Sequence, residues 1–454
     1  MISPRVSRRS MVKAIAATAV GAPLIWQRRS ALGMDANSRP VFAAIGVGGE
    51  GSFARGSKIA QNAAAFADIV AVCDVDRRHA EAFSAKFGNK LRIYNDYREL
   101  LDKEKLDLVT IGTPDHWHVP ISVAALKAGL HVYCEKPLTL TIEEGQIIGR
   151  VVKETGKVFQ VGTQQRSEFA LRFLQAVVLA KSGRLGKHLH AYVGIGGGPE
   201  GGPFPTAQAP EYFDWNMWLG PAPKREYTVE RTHKTFRWWL EYSGGKMTDW
   251  GAHHIDIAQW ALGVDHTGPV EIEGTGNFPS YIPENYDVQA FLAGEIELPN
   301  GYNTATTFDI TLKYANGATL NVQPSAKGNG GNGILIEGEL GRIFVNRGRL
   351  SGKPVEDLTE ADWKWINEEV VKLYKGKEPG NHMKNFFDCL ADGSVPISDV
   401  WTHHRTMTSC HMCNLTLLLR RKLRWDPDKE EFIGDEQANA LRSRPRRKGF
   451  ELEV

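Results

Sequence analysis

Between residues 40 and 161, short runs rich in Val, Ile and Ala alternate with amphipathic helical stretches, and this alternation constrains the fold more than any other feature of the chain. It predicts strands at 41–45, 69–73, 92–94, 106–111, 131–134 and 158–161, with helices at 52–65, 77–87, 97–103, 119–128 and 142–154. Strands joined through helices run parallel, because a tight hairpin cannot connect them. Local punctuation agrees: Thr141 and Glu144 form a capping-box pattern ahead of the fifth helix, and Gly129 follows the fourth, where glycine adopts a left-handed terminus at little cost. Residues 40–162 thus read as a doubly wound parallel α/β domain.

The pattern changes after Gly162. One more helix is expected at 168–182, then a long Gly/Pro/aromatic segment from 194 to 243, too long for a passive turn. Residues 269–349 alternate apolar and polar, with a hairpin signal at Asn316-Gly317. Residues 163–425 are therefore expected to form an α+β domain with a large, mainly antiparallel open sheet. One face would cover helices, and the other would need burial elsewhere, which suggests a partner subunit. Helix returns from 381 to 423, with a polar, basic tail at 426–454.

The first predicted strand runs into Gly46-Val47-Gly48-Gly49-Glu50-Gly51 and then a helix, the context in which G-x-G-x-x-G is informative. Gly46 allows the turn, Gly48 and Gly49 let backbone approach a pyrophosphate, and Gly51 brings helix against strand, with the helix N-terminus facing the anion. That is the signature of a Rossmann domain. Asp74, at the end of the second strand, suits the adenosine ribose hydroxyls and repels a 2′-phosphate, so NAD is favoured; Arg77 and Arg78 leave NADP open. Ligands in such sheets bind beyond the strand C-termini, which nominates Thr113, Pro114 and His118 after the fourth strand, Glu135 and Lys136 after the fifth, and Gln164 after the sixth. Lys136, followed by Pro137, should be held in extended backbone and aimed at a fixed place.

A second constellation is Gly244-Gly245-Lys246-Met247-Thr248-Asp249-Trp250-Gly251-Ala252-His253-His254-Ile255-Asp256. On a helix, Asp249 and His253 are i,i+4 neighbours, so the carboxylate is expected to hold one imidazole nitrogen and orient the other: an acid–base pair. His254 lies about 100° around the helix and is expected to pack or touch a neighbouring loop. Adjacent helical histidines diverge, so no metal site is expected. Arg166, Arg237, Trp238 and Tyr242 lie close to these motifs in sequence and are candidate contacts to a sugar ring.

On Gly46-x-Gly48-x-x-Gly51, Glu135-Lys136-Pro137 and Asp249-x-Gly251-x-His253-x-Ile255-Asp256, in that order, the chain resembles the Gfo/Idh/MocA oxidoreductase family over nearly all of residues 40–425. The resemblance implies that Lys136 binds the reacting oxygen, His253 is the general acid–base and Asp249 supports it, that the antiparallel sheet mediates a homodimer or homotetramer, and that the nicotinamide cofactor is tightly bound. It departs at Asp115, where many relatives carry Asn, and at His254. The implied reaction moves a hydride between the cofactor and a hydroxyl or keto carbon of a sugar, glycoside or cyclitol. A glycosidase or lyase that uses NAD transiently, by oxidation, elimination and re-reduction, is the alternative.

With 55 Lys and Arg against 53 Asp and Glu, the chain lacks the basic excess of a nucleic-acid-binding protein. Six of those basic residues (Arg5, Arg8, Arg9, Lys13, Arg28, Arg29) fall within the first 33 positions, which contain no acid. Arg8-Arg9 ahead of the uncharged run 14–26 resembles a twin-arginine export signal over residues 1–33. The run is too short to span a bilayer, so the expectation is an exported, periplasmic or extracytoplasmic protein handled by the twin-arginine translocation machinery, without a stable membrane anchor. Five scattered cysteines make no disulfide framework, and Cys410 and Cys413 read as packed thiols.

Overall fold

The computed structural model describes residues 39–48, 54–327 and 331–452. The signal motif, Gly49 and Gly51 lie outside them. Six parallel strands form the first sheet: β1 (Val41–Ile45), β2 (Asp68–Cys73), β3 (Arg92–Tyr94), β4 (Leu108–Ile111), β5 (His131–Cys134) and β6 (Phe159–Val161), in the order β3-β2-β1-β4-β5-β6. The chain builds outward from β1 to β3, then restarts at β4 on the other side of β1. The strand order reverses between β1 and β4, so the crevice opens at their C-terminal ends. Buried Phe42, Ala43, Ala44, Val109 and Ile111 make these strands apolar on both faces, as helices on both sides require.

Helix starts are fixed by side-chain caps: Asp76, Asp96 and Thr141 each accept from a backbone N–H in the first turn, typically worth about 1 kcal/mol. The box expected at Thr141 closes differently. Thr141 accepts from the Glu144 N–H (3.2 Å), but the Glu144 carboxylate reaches back to the Leu140 N–H (2.7 Å). The helix expected from residue 168 begins only at Arg172, because Phe169, Ala170 and Leu171 are all left-handed, a costly run for non-glycine residues.

The second sheet has nine strands: β7 (His190–Gly194), β8 (Glu271–Asn277), β9 (Thr307–Lys313), β10 (Thr319–Gln323), β11 (Gly333–Gly338), β12 (Gly341–Val345), β13 (Leu350–Ser351), β14 (Leu423–Asp426) and β15 (Glu431–Phe432). Their order is β13-β12-β11-β7-β10-β9-β8-β14-β15, antiparallel except where β7 meets β10. The β9–β10 hairpin turns at Gly317, with φ +85°, as Asn-Gly predicted. Ala191, Val193, Ile310, Leu312, Leu320, Val322, Ile334 and Ile336 point to one face and are fully buried. At about 1.5–3 kcal/mol for each large aliphatic side chain, they anchor the helices Arg172–Lys181 and Gly251–Ala261. The other face carries a small apolar cluster of Ala326, Leu335 and Phe344 beside paired polar groups. Asn321 bonds Thr311, Gln323 bonds Asp309 and Lys313 pairs with Glu271, polar groups that water also satisfies.

Helix Gly251–Ala261 is buried at every position, between this sheet and helix Val400–Leu419. The tail after 425 is a strap rather than a solvated end. Arg444 donates to the Leu240 carbonyl (2.6 Å), Arg447 to Gly220 (2.9 Å), and Phe450 meets the Trp117 ring edge-on at 5.7 Å. All five cysteines are free and buried, and among the described residues no helix is long and apolar enough to cross a membrane.

Candidate active site

Beyond Ile45 the chain turns at Gly46, with φ +75°. A Cβ there would meet the Thr113 nitrogen at 2.6 Å, and one on Gly56 would meet the Gly46 carbonyl oxygen at 1.8 Å. Backbone therefore touches backbone where helix Arg55–Ala63 abuts β1 and β4. Gly56 makes a helix-packing contact here, and its signal, a glycine five residues beyond the motif, was passed over; Gly51, to which the sequence assigned such a contact, lies outside the described residues. Gly48 lies under the His79 ring, 2.2 Å from where a Cβ would be. These glycines leave bare backbone at the head of a cleft with about 1020 Å³ of empty space, part of it open to solvent, in the range or above of drug-sized sites.

Asp74 lines that cleft, its two oxygens already oriented by the N–H groups of Val47 (2.9 Å) and Asp76 (2.9 Å). The arginines that left NADP open are engaged elsewhere: Arg77 with Glu81 at 2.7 Å, Arg78 with Asp76 at 2.9 Å and over the Tyr212 ring. The cradle thus fits NAD, held by Gly46, Gly48, Asp74 and the Thr113-Pro114 turn. Asp76, His79 and His233 bring ligand atoms within 4.8 Å of one another, a grouping the sequence reading did not foresee. Arg78 already occupies that carboxylate.

Thr113, Pro114, His118, Glu135 and Lys136 also line the cleft. His118 pins two loops together, its ring nitrogens 2.7 Å from the Pro137 carbonyl and 2.8 Å from that of Thr113. Gln164 does not line it. Its amide donates to Glu135 (3.0 Å), which also receives Arg55 (2.8 Å), so Gln164 orients a cleft residue from behind. Asp115, buried, accepts from the Ser243 hydroxyl at 2.5 Å; burial raises its carboxyl above the ordinary range, against the charge of His118 and the Ser243 bond.

Lys136 donates to the Asp249 carboxylate (2.6 Å) and carbonyl (2.8 Å), and Arg237 lies 3.5 Å from the same carboxylate. Burial alone would raise Asp249, yet Lys136 and then Arg237 hold it well below the usual carboxylate range. The expected Asp249–His253 bond is not formed. Trp250 separates the short helix Lys246–Asp249 from Gly251–Ala261, and two cations claim the carboxylate. Asp249 orients Lys136.

Four polar side chains on the all-buried helix Gly251–Ala261 must find partners. His254 lies 2.6 Å from the Asn332 amide oxygen and 3.2 Å from that of Gln165, the loop contact expected, and burial lowers it to about 4. Asp256 takes Arg166 through two bonds of 2.7 and 2.8 Å plus the Thr406 hydroxyl, and Gln259 accepts from Tyr314. The His253 side chain makes no hydrogen bond among the described residues, and its Nδ1 is buried and unpartnered. Burial first, then the charges of Lys136 and Arg347, keep it well below the ordinary imidazole value. A neutral imidazole beside an ammonium can take a proton.

Of the four proposed substrate contacts, only Arg237 lines the cleft. Arg166 is corrected to a structural role: its guanidinium is 3 % exposed, saturated by Asp256 and over the Trp260 ring. Tyr242 is fully buried, its hydroxyl accepting from Arg231 (3.1 Å) and its ring packed on Trp218. Trp238 lies under Lys246, away from the cleft. Arg347, in the β12–β13 turn, was missed, since nothing in its local sequence separates it from a solvated turn arginine.

Residues 42–163 match the family described as oxidoreductase family, NAD-binding Rossmann fold, and residues 202–279 and 287–452 match its C-terminal alpha/beta domain. The chain is 27% identical over 350 residues to the D-glucoside 3-dehydrogenase of Escherichia coli K12, covering 70% of this chain and 90% of that protein. It is 25% identical over 333 residues to the scyllo-inositol 2-dehydrogenase (NAD(+)) of Bacillus subtilis, covering 73% and 81%. An alpha-N-acetylgalactosaminidase of Shewanella oneidensis is 30% identical over 131 residues, only 27% of this chain and 28% of that protein. The WlbA dehydrogenase of Bordetella pertussis shares the fold, with TM-score 0.57 at 20% identity over 86% of this chain and 99% of that one.

Proposed function

The chain belongs to the Gfo/Idh/MocA oxidoreductase family, with an NAD-binding Rossmann domain, and we propose that it oxidises a secondary hydroxyl of a sugar or cyclitol, or runs that reaction in reverse. The observation that carries this is His253, buried and neutral with its Nδ1 unpartnered, under the charge of Lys136, which Asp249 holds and which lines the dinucleotide cleft. The glucoside and inositol dehydrogenases among its relatives support a carbohydrate-type substrate.

Lys136 spends two of its three N–H donors on Asp249, which leaves one for the substrate oxygen. The His253 imidazole accepts the hydroxyl proton as the carbon is oxidised. Lys136 Nζ meets the negative charge that develops on the oxygen, a preorganised term of a few kcal/mol. Bound NAD supplies the two-electron acceptor. Thr113, Pro114 and the bare backbone at Gly46 and Gly48 would hold it.

A second reading, favoured by the galactosaminidase relative, uses the same base to eliminate a glycosidic leaving group after transient oxidation. We place the protein outside the cytoplasm on the Ser7-Arg8-Arg9-Ser10 motif, carrying its cofactor through export, and place self-association on the nine-stranded sheet. The test is to denature the purified protein, identify the released nicotinamide, and follow nicotinamide absorbance with a sugar panel. Released NAD and a lasting sugar-dependent signal support a dehydrogenase. Aglycone release without lasting signal supports the second reading, and a protein that neither contains nor binds NAD refutes both. Light scattering tests the oligomer, and fractionation of cells expressing wild type or Arg8→Lys/Arg9→Lys tests export.

A further inference from the structure

The β12–β13 turn is a rigid mount. The Asn346 side chain accepts from the N–H groups of Gly348 and Arg349, both at 2.9 Å, and its own N–H reaches the Arg349 carbonyl at 2.9 Å. Arg347 projects from this turn, its carbonyl tied to Arg172 (3.4 Å) and its guanidinium 4.7 Å from the ring centroids of both Phe169 and Trp250. Phe169 is presented by the left-handed run 169–171, a strained backbone kept in place by its surroundings. Trp250 is also the ring beside His253, centroids 6.0 Å apart, so Arg347 sits one indole away from the base.

Arg55 has the carboxylate of Glu135, and Lys136 and Arg237 have that of Asp249. Arg347 forms no ion pair and donates no hydrogen bond among the described residues, and its Nε is buried without a partner. Burial, and then repulsion from Arg55, lowers its hold on its proton, against the pull of Asp249, Glu168 and Glu135. Glu168, which accepts from the His382 backbone, is pushed toward its neutral form by burial. A half-buried guanidinium with idle donors is costly unless a ligand completes it. With aromatic rings taking its faces, the edge remains, and the edge of a guanidinium matches the planar two-oxygen fork of a carboxylate. Neutral hydroxyls would accept the bonds but leave the charge of Arg347 without a counter-ion.

We propose that Arg347 anchors the substrate and that the substrate carries a carboxylate, making it a sugar acid rather than a neutral sugar. This rests on the oxidoreductase reading above and names its substrate class. The experiment uses the NAD-loaded full chain with matched pairs: glucose and glucuronate, galactose and galacturonate, and their methyl glycosides. The acids should be favoured at least about tenfold in kcat/KM, the usual worth of one charge-assisted pair. Arg347→Gln should raise KM for the acid at least about tenfold more than for its neutral partner and abolish the quenching of tryptophan fluorescence by glucuronate. Arg347→Lys, which keeps the charge, should recover part of the acid preference. Retained NAD and an unchanged circular dichroism spectrum certify that each variant is folded.

Neutral sugars oxidised as well as their acids, or an Arg347→Gln defect equal for both, would overturn the proposal while leaving the oxidoreductase reading intact. Saturable glucuronate binding lost in Arg347→Gln, with no oxidation of any sugar, would sustain the carboxylate site and sink the oxidoreductase reading instead. Should both variants unfold, wild-type preference within the matched pairs decides alone.

Discussion

Replacing Asp249 by Asn changes one atom and separates two roles for this carboxylate. The structure puts its charge on Lys136 at 2.6 Å, and the backbone carbonyl of the same residue holds Lys136 at 2.8 Å. The carbonyl bond survives the substitution, so Lys136 stays in place and a charge-assisted bond becomes a neutral one. Charged bonds are worth about 1.5–3 kcal/mol and neutral ones about 0.5–1.5, a difference of about 1–1.5 kcal/mol, or roughly 5- to 13-fold in kcat/KM. Asp249 is not among the main charges acting on His253, so the acid limb of the pH profile should stay where it is in wild type. The assay is kcat/KM against pH for both proteins on one oxidised sugar. If the carboxylate instead held the imidazole, its loss would ease deprotonation of His253, move the acid limb to lower pH and cost more than about a hundredfold. A limb displaced by about one unit, or a loss of that size, refutes the assignment of Asp249 to Lys136.

Three further outcomes follow from the geometry. Arg166→Met leaves Asp256 buried and uncompensated, which should cost about 3–5 kcal/mol in denaturant unfolding while leaving the KM for sugar unchanged in folded protein; wild-type stability would return Arg166 to the candidate substrate contacts. His253 acts as a base when unprotonated, and because its pKa lies well below the ordinary imidazole value, kcat/KM should hold its plateau below about pH 6.5. His253→Ala should lose that turnover at least about a hundredfold with NAD retained, and an acid limb near the ordinary value would contradict the buried, neutral state. Gly56→Ala drives a methyl to within 1.8 Å of the Gly46 carbonyl oxygen, so the purified variant should lose bound NAD and melt earlier; full NAD content would show that the turn gives way freely.

The Rossmann half was legible because its signals are short-range. Strands β1 to β6 fall within two residues of their expected bounds, since apolar runs, caps and Gly129 act on immediate neighbours. The same locality explains the misses. A tail rich in Arg looks solvated until Leu240 and Gly220 present carbonyls to Arg444 and Arg447 from more than two hundred positions away. Arg166 follows a strand end, where ligand contacts are common, but its partner Asp256 lies 90 positions on, inside a helix whose complete burial no periodicity reveals.

The candidate site shows the same boundary at atomic scale. Residue types were readable: Lys136, Asp249 and His253 are brought together from the end of β5 and from two successive helices. Partner choice was not, because i,i+4 spacing offers Asp249 a histidine only if the helix is continuous, and a carboxylate beside two cations gains more from them than from a neutral imidazole. That competition has a chemical consequence. With Asp249 committed to Lys136, His253 is left without the carboxylate that would have stabilised its imidazolium, so burial and the charges of Lys136 and Arg347 act on the base unopposed.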